Sequence, residues 1–267
     1  MSEFSGGERP REMPPKERTR LTREDVLKRL EANEQFEGVD LVDVDLAGLN
    51  LESRSFRGSD LRGIKLFRKE KDPDGNSVEI RSSIGRADFT DVTFASVGDE
   101  NDFRGVSAEG ATFGYTENLG ARRARQKSEY ETSGKVPRDH DKGSLHGFNG
   151  TEGNFRNTRW ANADFAGDGY GAEALFGGAD FTGAVIVGGD LSNIDFSKTA
   201  LTGIRIVEPI SLSGMKITAD QVSVIFEAIE CTTEERQTQF AEMVGELGEI
   251  EALIEFFDIH IVSSRQV

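Results

Sequence analysis

A large apolar residue returns every fifth position through most of the stretch from Phe155 to Ile206, and this spacing constrains the fold more than any other feature of the chain. Phe155, Trp160, Phe165 and Tyr170 set the phase; after a slip of one residue, Phe176, Phe181, Ile186, Leu191, Phe196, Leu201 and Ile206 keep it. A helix repeats every 3.6 residues and a strand every two, so a period of five fits neither. Two places before the large residue sits a small or short one, as at Ala163, Ala174, Ala179, Ala184 and Ile194, which gives a strand-like inward, outward, inward triplet. Two places after it glycine is frequent, at Gly167, Gly178, Gly183, Gly188 and Gly203. Five is odd, so an unbroken strand would turn every second apolar residue outward. A corner at the glycine, which tolerates positive φ, restores the parity. The spacing predicts a chain that winds around its own core.

The same beat runs from Phe36 through Leu41, Leu46, Leu51, Phe56, Leu61 and Leu66, with Val39, Val44 and Leu49 at the minor inward position and Gly38, Gly48, Gly58 and Gly63 at the corner. Arg54 and Ser59 depart from the small apolar rule at the minor position, so the coil is locally loose there or Arg54 escapes at a corner. Phe89 and Phe94 resume the beat, a slip follows at 99–102, and Phe103, Ala108 and Phe113 continue it; Leu212 and Ile217 end it after one more slip. The expected core ladder is Leu41, Leu46, Leu51, Phe56, Leu61, Phe89, Phe94, Phe155, Trp160, Phe165, Phe181, Leu191, Phe196 and Leu201.

Written out, Ala163-Asp164-Phe165-Ala166-Gly167 and Ala179-Asp180-Phe181-Thr182-Gly183 share the form Ala-Asp-Phe-x-Gly. These units resemble the pentapeptide-repeat family, whose usual unit is A(D/N)LxX. The resemblance implies a mainly β fold, a right-handed quadrilateral (four-sided) β-helix with four pentads to a coil, here expected over 35–217 with α-helical N- and C-terminal caps. It does not imply a function, because members of the family differ widely in what they do.

Residues 1–20 are polar and proline-containing and are expected to form a disordered tail. Thr22 with Asp25 three residues on begins a short helix carrying Val26, Leu27 and Leu30; residues 21–34 are expected to cover the open first coil, whose free backbone groups would otherwise meet other chains. Two insertions break the beat. In 67–86 the run Lys71-Asp72-Pro73-Asp74-Gly75-Asn76-Ser77 has turn chemistry and Val78 and Ile80 alternate, which predicts a projecting hairpin. Asp72, Asp74 and Asn76 have the spacing of a calcium loop, but glycine stands fourth rather than sixth and the twelfth residue is Ser83, so the calcium reading fails twice. The longer insertion, 114–150, holds Arg122, Arg123, Arg125, Lys127, Lys135, Arg138 and Lys142 with His140 and His146, and reads as a solvated loop of functional length.

From 218 to 267 the period changes. Val222, Ile225, Phe226 and Ile229, then Phe240, Met243, Val244 and Leu247, then Ile250, Leu253, Ile254 and Phe257 each fall on one helical face. Thr218 and Thr232 or Thr233 serve as N-caps, and Ile259 to Val262 forms a short strand. This acidic helical region is expected to cap the last coil and to associate in part with a second copy, a homodimer through 218–262.

The formal charge is −16, so the position of the acids matters. Residues 218–267 hold eleven acids against two bases, 151–217 eight against five, and 114–150 five against seven. The repeats are therefore only mildly acidic. The resemblance brings with it a DNA-mimicking, topoisomerase (gyrase)-binding inhibitor or quinolone-protection protein, a reading that needs a densely negative face and is weakened by this dilution. Direct nucleic-acid binding is disfavoured, since the basic cluster has little aromatic interleaving beyond Tyr115 and Tyr130 and works against a negative chain. No catalytic, metal or cofactor constellation is found: His140, His146 and His260 form no ligand spacing with Cys231, the only cysteine, and no activating base is evident for that thiol. One cysteine, no apolar run long enough for a membrane span and no secretory signal point to the cytoplasm, with export without a classical signal peptide as the alternative. The reading is a non-enzymatic protein-protein interaction or scaffold protein whose partner meets Arg122, Arg123, Arg125, Lys127, Asp74 and Asn76; an exported bacterial effector is a further alternative.

Overall fold

Parallel pairing at a fixed sequence distance organises the backbone. Asp40 bridges to Arg20 on one side and Asp60 on the other, and Asp45 to Lys65, so the chain meets itself again after 20 residues, four five-residue units. The structure, a computed structural model, describes residues 18–90, 92, 101–103, 105–115, 117–134, 145, 148–165, 174–231 and 233–263. Phe94 and residues 1–17 lie outside the described residues.

In chain order the elements are α1 (Arg23–Glu31), β1 (Phe67–Lys71), β2 (Ser77–Arg81), β3 (Asp88–Thr90), β4 (Asn101–Asp102), β5 (Thr112–Gly114), α2 (Leu119–Ser133), β6 (Phe148–Asn149), β7 (Arg159–Ala161), β8 (Val185–Val187), β9 (Arg205–Val207), β10 (Lys216–Thr218), α3 (Val222–Ala228), β11 (Ile229–Glu230), α4 (Glu234–Leu247), α5 (Glu249–Phe257) and β12 (His260–Val262). Strands β3, β5, β7, β8, β9 and β11 form one parallel sheet with one strand from each successive coil. Their register places Phe89, Phe113, Trp160, Ile186, Ile206 and Ile229 above one another. Bridges such as Asn154 to Ser107 and Asp180, and Asp190 to Asp164 and Ser211, continue the stacking around the coil. The fold is a β-helix.

Its core is the ladder of large residues. Leu41, Leu46, Leu51, Phe56, Leu61, Phe89, Phe155, Trp160, Phe165, Phe181, Leu191, Phe196 and Leu201 are all buried. Where a polar residue takes the minor inward position, its hydroxyl serves the backbone: Ser59 Oγ accepts from Val39 N and donates to the Phe36 carbonyl, Ser82 Oγ donates to the Leu46 carbonyl, and Thr199 Oγ1 to that of Phe176. A buried hydroxyl so paired avoids the cost of an unmade hydrogen bond. Arg54 leaves the core and donates to Asn33 Oδ1 at 2.6 Å.

The corner glycines have positive φ, among them Gly38, Gly58, Gly183 and Gly203. Other residues hold the same conformation at equivalent corners, including Asp43, Ser53, Arg86, Asn157, Asn162 and Asn193. At four places among the described residues an asparagine or aspartate corner stacks beneath a glycine corner. A Cβ on Gly63, Gly183, Gly188 or Gly214 would stand 2.4–2.6 Å from the Oδ1 of Asp43, Asn157, Asn162 or Asn193, so an Asx corner in one coil requires glycine in the next.

The first insertion is the expected hairpin, β1 against β2, but it ends sooner than the sequence spacing suggested. Ser83 already bridges Asn50 and Ser107, and Ile84 is buried in the core, so 82–86 belongs to the coil. The second insertion differs more. Residues 119–133 form the helix α2 instead of a solvated loop, and Leu145 and Phe148 return to the core before residue 150.

At the start of the coil, Thr22 and Asp25 form a capping box on α1, and Leu21 and Val26 join the core. At the other end the helical segment keeps contact with the sheets through two short strands: β11 adds in parallel to β9, and β12 to β10. Arg205 clasps Glu230 with two hydrogen bonds of 2.6 and 2.9 Å across the first of these pairs.

Candidate interaction surfaces

Three features leave the repeats: the β1–β2 hairpin, α2 and the terminal helices. The hairpin is tied at its base by Arg68, whose Nη1 donates to Asp45 Oδ2 at 2.7 Å. At its tip Asp72 Oδ1 accepts from the backbone of Asp74 and of Asn76, and Gly75 takes φ 85°. Asn76 Nδ2 also donates to Asp72, so Asn76 closes the turn while the Asp74 carboxylate is left exposed.

α2 is mounted on the repeats by its polar first half. Asn118 caps it, accepting from Ala121 N, and Leu119, Arg122 and Gln126 form the buried face. Arg122 is 2% exposed; its guanidinium lies 4.6 Å from the Tyr115 ring centre, and Nη2 donates to the Asn162 carbonyl at 3.5 Å. Arg123 bridges two coils, with Nη1 donating to Asp190 Oδ2 and Nη2 to Asp164 Oδ2, both at 2.7 Å. Burial pushes the Asp164 carboxyl above its ordinary value even though Arg123 pulls it down. Burial likewise pulls Arg122 below its ordinary value against the attraction of Asp164. Arg122 Nη1 and Asp164 Oδ1 are buried without a hydrogen-bond partner among the described residues. Arg125 pairs with Glu117 and Glu129, and Lys127 stands exposed 4.0 Å from Glu131. Of the four cations expected to meet a partner, Arg122, Arg123 and Arg125 are thus engaged within the chain and Lys127 points outward. From Lys127 to Ser133 every residue of α2 is exposed, Tyr130 by 54%.

The aspartates that precede the large residues are also occupied. Asp40, Asp45, Asp88, Asp180, Asp190 and Asp195 each accept from the backbone N–H two residues on, closing the corner. Several are neutralised by arginines from elsewhere in the chain: Asp60 by Arg18 and Arg62, Asp45 by Arg23 and Arg68, Asp88 by Arg57, and Asp180 by Arg156.

Cys231 is buried, and burial pushes its thiol up, away from the reactive thiolate. No group of three or more His, Cys, Asp and Glu side chains among the described residues is arranged to hold a metal ion, and no helix among them is long and apolar enough to cross a membrane. The terminal helices present a different surface. α4 has no fully buried residue along its length, although Phe240 packs on Phe226, Phe256 and Phe257. Between α3 and α4 lies an open groove of about 610 Å³ floored by Phe226, Ile229, Cys231, Phe240, Ala241 and Val244.

A comparison with known families matches residues 172–205 to pentapeptide repeats, in 8 copies. Residues 172–205 thus carry the repeats of the pentapeptide-repeat family. Solved pentapeptide-repeat proteins are similar at low identity. HetL, involved in heterocyst differentiation regulation in the cyanobacterium Nostoc sp. strain PCC 7120, is 16% identical over 69% of this chain and 58% of its own, with a TM-score of 0.35. Rfr23 from the cyanobacterium Cyanothece 51142 is 16% identical over 67% and 92%, with a TM-score of 0.21. QnrB1, a plasmid-mediated fluoroquinolone resistance protein, is 12% identical over 78% and 93%, with a TM-score of 0.24. The match spans less than two thirds of HetL, and no curated protein matches the chain.

Proposed function

We propose that this chain is a non-enzymatic interaction scaffold: a right-handed, four-sided β-helix, capped by α1 and by the terminal helices, that holds α2 out to another protein. The observation that supports this reading is the division of α2 into two halves. Its first half is fixed to two coils by the Arg123 bridge and by buried Arg122, and its second half, with Lys127 and Tyr130, is exposed along its whole length. A rigidly mounted helix with an exposed aromatic loses little entropy on binding, and aromatic side chains dominate interface energetics. Neutralised aspartates argue against the DNA-mimic reading, because a phosphate-like face needs free charge. A single buried cysteine suits a cytoplasmic location.

The test is site-specific photo-crosslinking in cells. A photo-reactive residue at Tyr130 is expected to trap one discrete protein, and the same residue at Lys198 on the repeats is expected to trap none. Equal labelling from both positions, or none from Tyr130, overturns the proposal. Inhibition of gyrase supercoiling or protection from quinolones at micromolar concentration would favour the mimic instead.

A further inference from the structure

The outer side of the terminal helices carries recognition chemistry of its own. Eight large apolar side chains are exposed among the described residues, and three of them, Leu247, Ile250 and Ile254 (41%, 45% and 41%), fall in one short stretch around the α4–α5 junction. Ile250 and Ile254 are one helical turn apart and form the exposed edge of the apolar stripe of α5, whose neighbouring residues Leu253 and Phe257 are buried in the core. Glu251 and Glu255 run beside them at the same spacing, and Glu246 and Glu249 flank the junction; all four are exposed. Unlike several aspartates of the repeats, none of these four glutamates has an ion-pair partner among the described residues, whereas Glu230 at the same end is paired with Arg205.

Apolar residues in a row, edged by a parallel row of unpaired carboxylates, specify the chemistry of what covers them. We propose that this face docks a basic amphipathic helix of another protein, its apolar side on Ile250 and Ile254 and its lysines or arginines along Glu246, Glu249, Glu251 and Glu255. Such a partner removes exposed apolar surface from water and neutralises the carboxylates in one step. A second copy of the chain does only the first. Residues 218–267 carry eleven acids against two bases, so self-association sets two like-charged surfaces together. The inference rests on the interaction reading above but uses a different face, so each can fail alone.

The test uses the full chain and a fluorescently labelled synthetic peptide of leucine and lysine in helical amphipathic spacing. Its controls are a lysine–serine peptide of equal charge and a leucine–glutamate peptide of equal hydrophobicity. The leucine–lysine peptide is expected to bind at least about tenfold more tightly than either control, and to weaken as salt rises. Ile250→Ser with Ile254→Ser, and separately Glu251→Gln with Glu255→Gln, are each expected to weaken it about tenfold or more. Both pairs are exposed, so the unfolding midpoint should stay put and confirm that the variants are folded. Equal binding of the lysine–serine peptide, or retention of affinity in the isoleucine variant, overturns the proposal. So does sedimentation of the chain as a dimer that this variant separates, since a second copy would then be the occupant.

Discussion

The Phe113 ring lies flat on the Trp160 indole, with 4.1 Å between centroids and 9° between planes, and the two residues are directly paired in adjacent strands. They end a column that begins at Phe36 and continues through Phe56 and Phe89, each step 5.1 Å with planes within 11°. The step follows from the backbone: strands in a ladder sit about 4.8 Å apart, so identical side chains at one register position must stack. Each ring is thereby held from above and below by the neighbouring coils.

A missing ring in that column cannot be filled by its neighbours, whose positions the backbone fixes. Phe113→Ala is expected to cost about 3–5 kcal/mol in urea unfolding. Trp160 is the single tryptophan and its Nε1 donates to Thr158 Oγ1 at 2.7 Å in the core, so it reports on the column by fluorescence. Thr158→Val keeps the shape but strands that indole N–H, and a loss of about 1–3 kcal/mol is expected. A loss below about 0.5 kcal/mol for Thr158→Val would show that the indole finds another acceptor.

Arg123 is the hinge pin of α2. Its removal leaves Asp164 and Asp190 close together and short of a cation, in a place where burial already disfavours the charge on Asp164. Arg123→Ala is expected to release α2 without unwinding the repeats: amide exchange should accelerate across 119–126 by about tenfold or more while β5, β7 and β8 keep their protection. Exchange that speeds up equally in those strands would mean that α2 is part of the cooperative unit of the coil.

The carboxylates also predict two opposite responses to acid. Burial raises the Asp180 carboxyl somewhat, but hydrogen bonds from Thr182 and the Arg156 guanidinium bring it below the ordinary value of 3.8, so its contribution is present above 3.8 and lost as pH falls through the lower folded value. Asp164 is raised, so its contribution is complete below 3.8 and lost as pH rises through the folded value. In unfolding midpoints followed from about pH 3 to 6, Asp180→Asn should reduce the loss of stability on the acid side. Asp164→Asn should instead reduce the loss on the way up from acid. The same direction of change in both variants would contradict the assignment.

The ladder was legible in the sequence because each core residue repeats at a constant spacing and packs on its own kind one coil away, as Phe89 does on Phe113. The terminal helices were legible for the parallel reason that their apolar stripes keep a helical period. α2 was not. Its buried face is Leu119 followed by Arg122 and Gln126, so no apolar period marks it, and basic residues in a long interruption look like a solvated loop. The partners of the repeat aspartates were invisible too, since Arg18 meets Asp60 and Arg123 meets Asp164 across 42 and 41 residues. One signal was present and unread: asparagine or aspartate at a corner with glycine at the corner of the next coil, as at Asp43 and Gly63 or Asn193 and Gly214.

That signal separates glycines the fold needs for conformation alone from those it also needs for space. Gly38 has φ 63°, nothing within 4 Å of where a Cβ would stand and a glycine, Gly58, at the corner of the next coil, so Gly38→Asn, a residue the chain itself uses at Asn157 and Asn162, is expected to cost no more than about 1 kcal/mol. Gly183 has a similar φ, but its Cβ would stand 2.4 Å from Asn157 Oδ1, and Gly183→Asn should cost clearly more. Asn157→Gly in the coil beneath removes the obstructing oxygen, so the double variant Asn157→Gly with Gly183→Asn should recover most of that loss. Gly114, with φ 120°, has the Ala161 backbone across from it, and no side-chain change relieves the contact. Gly114→Ala is therefore expected to be the most damaging of the set in urea unfolding, at about 3 kcal/mol or more, and to stay so in the Asn157→Gly background.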